Sequence, residues 1–110
     1  MAEYVFLYRN GDKLSPEVMQ AQMGKWNVWL KELGEKGVLK AAGQPLERSG
    51  KLVSGAKRTV TDGLFAEAKD VIGGFSIVTA KNLDEAVELS MGCPIFNVGG
   101  GVEVRPAMQM

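Results

Sequence analysis

Hydrophobic and polar positions change period several times along this chain, and each change predicts an element. Tyr4 to Tyr8 is an unbroken apolar and aromatic run, which predicts a strand buried on both faces. Asn10-Gly11-Asp12 ends it with turn-forming residues, and Ser15-Pro16-Glu17 supplies an N-cap, a first-turn proline and an acid at the positive end of a helix. The apolar positions Met19, Met23, Trp26, Leu30 and Leu33 then follow a three-and-four spacing. That spacing predicts one long amphipathic helix, with Trp29 beside its stripe, at an edge or an interface. Gly34 and Gly37 bracket the end of the helix.

Val38 to Ala42 reads as a second strand, closed by Gly43 and Pro45. Apolar density falls between Ser49 and Thr61, where Lys51-Leu52-Val53 and Arg58 to Thr61 flank Ser54-Gly55 and predict a small hairpin. Gly74 to Ala80 predicts another central strand. Asn82 to Glu85 starts a second helix through a capping box, with Leu83, Ala86, Val87 and Ser90 on its inner face. Gly92-Cys93-Pro94 stops that helix, Gly99-Gly100-Gly101 makes a turn, and Val102 to Arg105 is a last strand.

The order strand, helix, strand, hairpin, strand, helix, strand predicts an α+β fold, a ferredoxin-like βαββαβ layer with an inserted β-hairpin and both helices on one face. Residues 1–110 then form a single domain. A first strand that is apolar on both sides needs cover on the second face, so a second copy is expected there. The assembly would be a homodimer, closed as a dimeric α+β barrel.

Composition narrows the function. Acids and bases number thirteen each and do not run in blocks, so neither nucleic acid nor an anionic membrane surface is expected as a direct partner. No segment has the apolar length of a membrane span, and Glu3 with the short run after it predicts no signal peptide. Histidine is absent, which excludes serine-histidine and cysteine-histidine hydrolase chemistry and the commonest metal ligand. With Cys93 as the single cysteine, no internal disulfide or paired-thiolate zinc site can form, and a reduced, cytoplasmic setting is expected. Neither a metal nor a cofactor is expected.

Candidate chemistry concentrates between Thr61 and Phe75, where Asp62, Gly63, Phe65, Glu67 and Lys69 precede two glycines and an apolar strand. Asp62 and Glu67 could face one cavity and divide proton duties if burial raised one pKa. The alternative is structural, with Asp62 capping the turn and Glu67 pairing with Lys69 or Arg58. Phe65 either plugs the domain or lines a pocket, and Trp26, on the first helix, is either core or pocket wall. Cys93 lies at the negative end of a helix, which raises a thiol pKa and argues against a nucleophile. The triple glycine precedes a strand rather than a helix, so it reads as a turn and not as a phosphate cradle. Met108 and Met110 read as a flexible tail.

The element order, the Thr61-Asp62-Gly63-Leu64-Phe65-Ala66-Glu67 segment, Lys69, Gly73-Gly74-Phe75, Asp84-Glu85-Ala86 and Val102-Glu103-Val104-Arg105-Pro106 together resemble the YCII-related proteins, in the branch named for an Asp-Gly-Pro-Phe motif. The resemblance implies a bacterial protein with a ferredoxin-like dimeric barrel and a cleft lined partly by the motif loop. It also implies two functional classes. One is a small-molecule-binding domain, an enzyme in some relatives, with Asp62, Phe65, Glu67, Lys69 and Trp26 as ligand-binding candidates. The other is a non-catalytic structural or regulatory dimer, since some bacterial members are encoded with or fused to sigma-factor-like regulators. Leu64 stands where the motif has proline, and no histidine matches the histidine-aspartate pair proposed as active in related YCII proteins.

Overall fold

A computed structural model of the chain describes residues 1–11, 13–47, 49–62 and 71–109, the Asp62 side chain excepted. Strand β1 (Ala2–Arg9) leads into helix α1 (Pro16–Glu35), β2 (Leu39–Ala41), a hairpin of β3 (Lys51–Ser54) and β4 (Thr59–Asp62), then β5 (Ile72–Ala80), helix α2 (Leu83–Ser90) and β6 (Gly101–Pro106). A short 3₁₀ turn, Pro94–Val98, precedes β6.

The main sheet is antiparallel in the order β2-β5-β1-β6. With both helices on one side of it, the architecture is the expected ferredoxin-like α+β layer. The hairpin forms a separate two-stranded sheet, with Val53 opposite Val60 and Leu52 opposite Thr61.

Local chemistry sets the helix ends as expected. The Ser15 hydroxyl accepts from the Val18 N–H at 3.3 Å, and Pro16 occupies the first turn of α1. The Asn82 side chain accepts from the Glu85 N–H at 2.9 Å, while the Glu85 carboxylate accepts from the Lys81 N–H at 3.1 Å. The reciprocal box thus closes one residue earlier than its usual pattern.

Tyr4, Phe6 and Tyr8 on β1 and Val78 and Ala80 on β5 meet Trp29 and Leu33 of α1 and Ala86 of α2 to make the core, with Cys93 and Ile95 at its end. Two sequence expectations are corrected here. Trp29 is not an edge residue: it is only 5% exposed and stacks on Phe6 at 6.2 Å. The side of α1 turned to the core runs Gln22, Trp26, Trp29, Leu33, whereas Met19 and Met23 are 52% and 62% exposed. Two bulky indoles pull the helix round, because each removes far more apolar area from water than a methionine at the mouth would.

β1 alternates instead of being buried on both faces. Val5, Leu7, Phe75 and Ile77 point away from the helices, as register with the buried Tyr4, Phe6 and Tyr8 requires. Charged residues border that second face: Lys40 pairs with Glu3, Arg9 with Glu103 at 3.0 Å, and Arg105 with Glu103 at 3.7 Å. Among the described residues, no helix is long and apolar enough to cross a membrane.

Candidate functional site

A cavity lies between α1 and the strand pair β1 and β5, with a volume of about 620 Å³, which falls in the usual range for small-molecule pockets. One wall is α1, which contributes Met19, Met23, Trp26 and Leu30. The opposite wall is the segment after β2, Ala42 to Leu46, running beside Gly73, Gly74 and Phe75. That wall is held by backbone pairing, since the Leu46 N–H donates to the Gly73 carbonyl at 2.8 Å and Pro45 bridges Gly74. Ile95 and Val98 close one end, and Asn10, Lys13, Asn27 and Gln44 supply polar groups around the apolar lining.

Close backbone approach makes this shape. At Gly43 the backbone has φ +75° and lies so near the Phe75 carbonyl that any Cβ would collide with it. Gly73, one of the two glycines leading into β5, is likewise pressed against the Asn10 side chain.

Three polar side chains sit in the cavity wall beneath the apolar layer. The Tyr8 hydroxyl donates to Ser76 Oγ at 2.7 Å, and Ser76 Oγ donates in turn to the Ala42 carbonyl at 2.7 Å. Burial pushes the Tyr8 phenol well above its usual pKa, outweighing the opposing bond to Ser76, so Tyr8 stays protonated across the physiological range. Gln22, only 6% exposed, donates from Nε2 to the Pro94 carbonyl at 3.0 Å. Trp26 leans edge-on against the Tyr8 ring with centroids 4.6 Å apart, as the last member of the Phe6, Tyr8, Trp29 and Trp26 aromatic cluster. It is the member of the cluster that is half-exposed toward the cavity.

Cys93 is not part of this wall. It is buried at the start of the 3₁₀ turn, and burial pushes its thiol up to about 12. Both facts leave it inert as a nucleophile at neutral pH.

Of the residues singled out by sequence, Trp26 lines the cavity. Phe65, Glu67 and Lys69, with Gly63 and Leu64, lie outside the described residues, as does the side chain of Asp62, whose backbone ends β4. The chain re-enters the described set beside the cavity: the Asn10 N–H donates to the Val71 carbonyl at 2.8 Å. Tyr8, Gln22 and Ser76 were not singled out by sequence. Gln22 carried a usable signal, since it stands four residues before Trp26 and seven before Trp29, a polar residue on the helix's inner side. Among the described residues, no cluster of three or more Cys, Asp or Glu could hold a metal ion.

Comparison with known proteins gives a family and a fold. The YCII-related domain matches residues 1–110. No curated protein sequence matches the chain. A solved structure, 5-chloro-2-hydroxyhydroquinone dehydrochlorinase (TftG) from Burkholderia phenoliruptrix AC1100 in complex with 2,5-dihydroxybenzoquinone, superposes with a TM-score of 0.57 at 19% identity. The superposition covers 98% of this chain and 95% of that one, and at this identity it speaks for the fold.

Proposed function

The chain belongs to the YCII-related family, and from that premise we propose that it binds a largely apolar, ring-sized small molecule in the cavity between α1 and the sheet. The observation that carries this reading is Trp26, half-exposed over a cavity of about 620 Å³ whose lining is mainly apolar, with Met19, Met23, Leu30 and Ile95 beside a few polar side chains. An indole edge and flexible thioethers favour aromatic ligands by edge and sulfur contacts, and they adapt to more than one ring. The ring ligand of the structurally similar dehydrochlorinase, 2,5-dihydroxybenzoquinone, is of a size such a cavity admits.

Within the family we place the chain in the Asp-Gly-Pro-Phe branch, on its Thr61 to Glu67 sequence, and assign Asp62, Phe65, Glu67 and Lys69 to the rim of the same cavity. Support comes from Val71, where the chain leaving that segment is bonded to the cavity residue Asn10. We further propose a homodimer in which a second copy covers Val5, Leu7, Phe75 and Ile77. An apolar centre bordered by the Glu3, Lys40, Arg9 and Glu103 charges is the anatomy of an interface.

2-Naphthol is a suitable probe, because it is neutral, two-ringed and small enough for the cavity. Saturation-transfer NMR is expected to show it bound, with affinity lowered about tenfold or more in Trp26→Ala, the loss expected when one aromatic contact and its area disappear. No saturation transfer to 2-naphthol at millimolar concentration, or unchanged binding in Trp26→Ala, sinks the assignment to this cavity.

A further inference from the structure

Gln22 is the one polar residue of α1 that is buried rather than exposed. A buried carboxamide normally has both its oxygen and its nitrogen bonded. Its Nε2 is committed to the Pro94 carbonyl, and because that partner only accepts, the orientation of the amide is fixed. Among the described residues no buried side-chain oxygen or nitrogen is left without a partner; Oε1 takes no bond from a described residue, so it is reached from the cavity that Gln22 lines. A ligand that fills the cavity takes water from this oxygen, which is unfavourable unless something on the ligand donates to it.

The neighbouring polar groups restrict what that something is. Tyr8 gives its proton to Ser76, and Ser76 gives its own to the Ala42 carbonyl, so the hydroxyl protons of this pair are already committed within the protein. Resting on the ligand-binding reading above, we propose that Gln22 is the specificity-determining residue of the cavity: its Oε1 accepts from a hydroxyl or ring N–H on the bound ring. The substrate class is therefore a neutral aromatic carrying a hydrogen-bond donor, a phenol or hydroquinone rather than its ether or a fully oxidised, donor-free quinone. At this position an anionic ring oxygen is disfavoured as well, since it would face the Gln22 oxygen, an acceptor.

Two probes of nearly equal shape separate this claim from the one it rests on. 2-Naphthol and 2-methoxynaphthalene differ in a single donor, and ligand-observed NMR gives both affinities on the intact chain. The wild type is expected to hold 2-naphthol about five- to tenfold more tightly, the ratio one net hydrogen bond supplies. Gln22→Leu and the nearly isosteric Gln22→Met are expected to bring the two affinities together while keeping the ether bound, with thermal melts reporting that each variant is folded. Equal binding of the two probes by the wild type overturns the role of Gln22 and leaves the cavity reading standing. Persistence of the preference in a folded Gln22 variant does the same. Binding of neither probe overturns both.

Discussion

Tyr8 shows how much of this site is decided by single atoms. Its ring supports Trp26 while its hydroxyl feeds a two-step relay through Ser76 to the Ala42 carbonyl. Removing one end of the relay differs from removing its middle. Tyr8→Phe deletes a donor and leaves Ser76 bonded to Ala42, so a loss of about 1 kcal/mol is expected in urea unfolding. Ser76→Ala orphans a buried phenol and a carbonyl together, and about 2–3 kcal/mol is expected. If the two variants unfold at the same urea concentration, the relay is not a connected unit. Cys93 makes the corresponding prediction in pH. Its folded thiol titrates near 12 against an ordinary value of 9.0, so from pH 9 upward the unfolded chain releases a proton that the native chain keeps. Stability is therefore complete below about 9 and is lost toward 12, by about 1.4 kcal/mol per unit while only the unfolded thiol is ionised. Cys93→Ala should show a shallower alkaline slope than wild type in unfolding curves taken at pH 8 to 11.

At the scale of elements, two glycines with left-handed backbones provide a controlled contrast. Gly37 has φ +73° and open space around it, and Gly43 has φ +75° with the Phe75 carbonyl in the way of any side chain. Alanine at the first position is expected to lose about 1 kcal/mol, the conformational penalty alone. At the second, roughly 3 kcal/mol or more is expected, because the strand-flanking segment must move. Equal losses measured by chemical denaturation would mean that the wall formed by Ala42 to Leu46 is not held against β5 as described.

The elements themselves were largely readable in the sequence, since caps such as Ser15-Pro16 and Asn82 act within one turn of chain. The facing of α1 was less so. Apolar residues at Met19, Met23 and Leu30 satisfy the same spacing whether they meet a core or a cavity, and hydrophobicity does not distinguish the two. The 3₁₀ turn was hidden behind Cys93-Pro94, which reads as a helix stop yet lets Ile95 return to the core. The site was least legible. Charge density drew attention to residues 61–69, whereas the described wall is assembled from Tyr8, Gln22, Ala42 and Ser76, residues far apart in sequence that are brought together by the pairing of β5 with β1 and β2 and by α1 lying over the sheet.

The molecule as a whole spans 42 × 42 × 18 Å with a radius of gyration of 15.2 Å, above the roughly 13 Å expected for a globule of this length. The β3 and β4 hairpin fits that extended outline, with β3 exposed along its length and Val53 and Val60 both facing water. Its amides should exchange fastest among the strands, because an isolated hairpin is only marginally stable. The sheet's second face belongs to this scale too. Light scattering is expected to give twice the chain mass, and Leu7→Glu, which places a charge at the centre of that face, is expected to give a monomer that still folds. A monomeric wild type would remove the second copy from the proposal.

The strand order β2-β5-β1-β6 has one more consequence. The part of the chain before the hairpin supplies β2 and β1, the part after it supplies β5 and β6, and the two sets alternate across the sheet. During synthesis on a ribosome, β1 emerges first and stays without either neighbour until residues 72–80 and then 101–106 have followed. Helix α1 can form early, but before then its two indoles meet only each other and the Phe6 and Tyr8 of an unpaired strand. The newborn chain thus carries its most aromatic stretch uncovered for most of its translation, and folding becomes a late, single event once nearly all of it has left the exit tunnel.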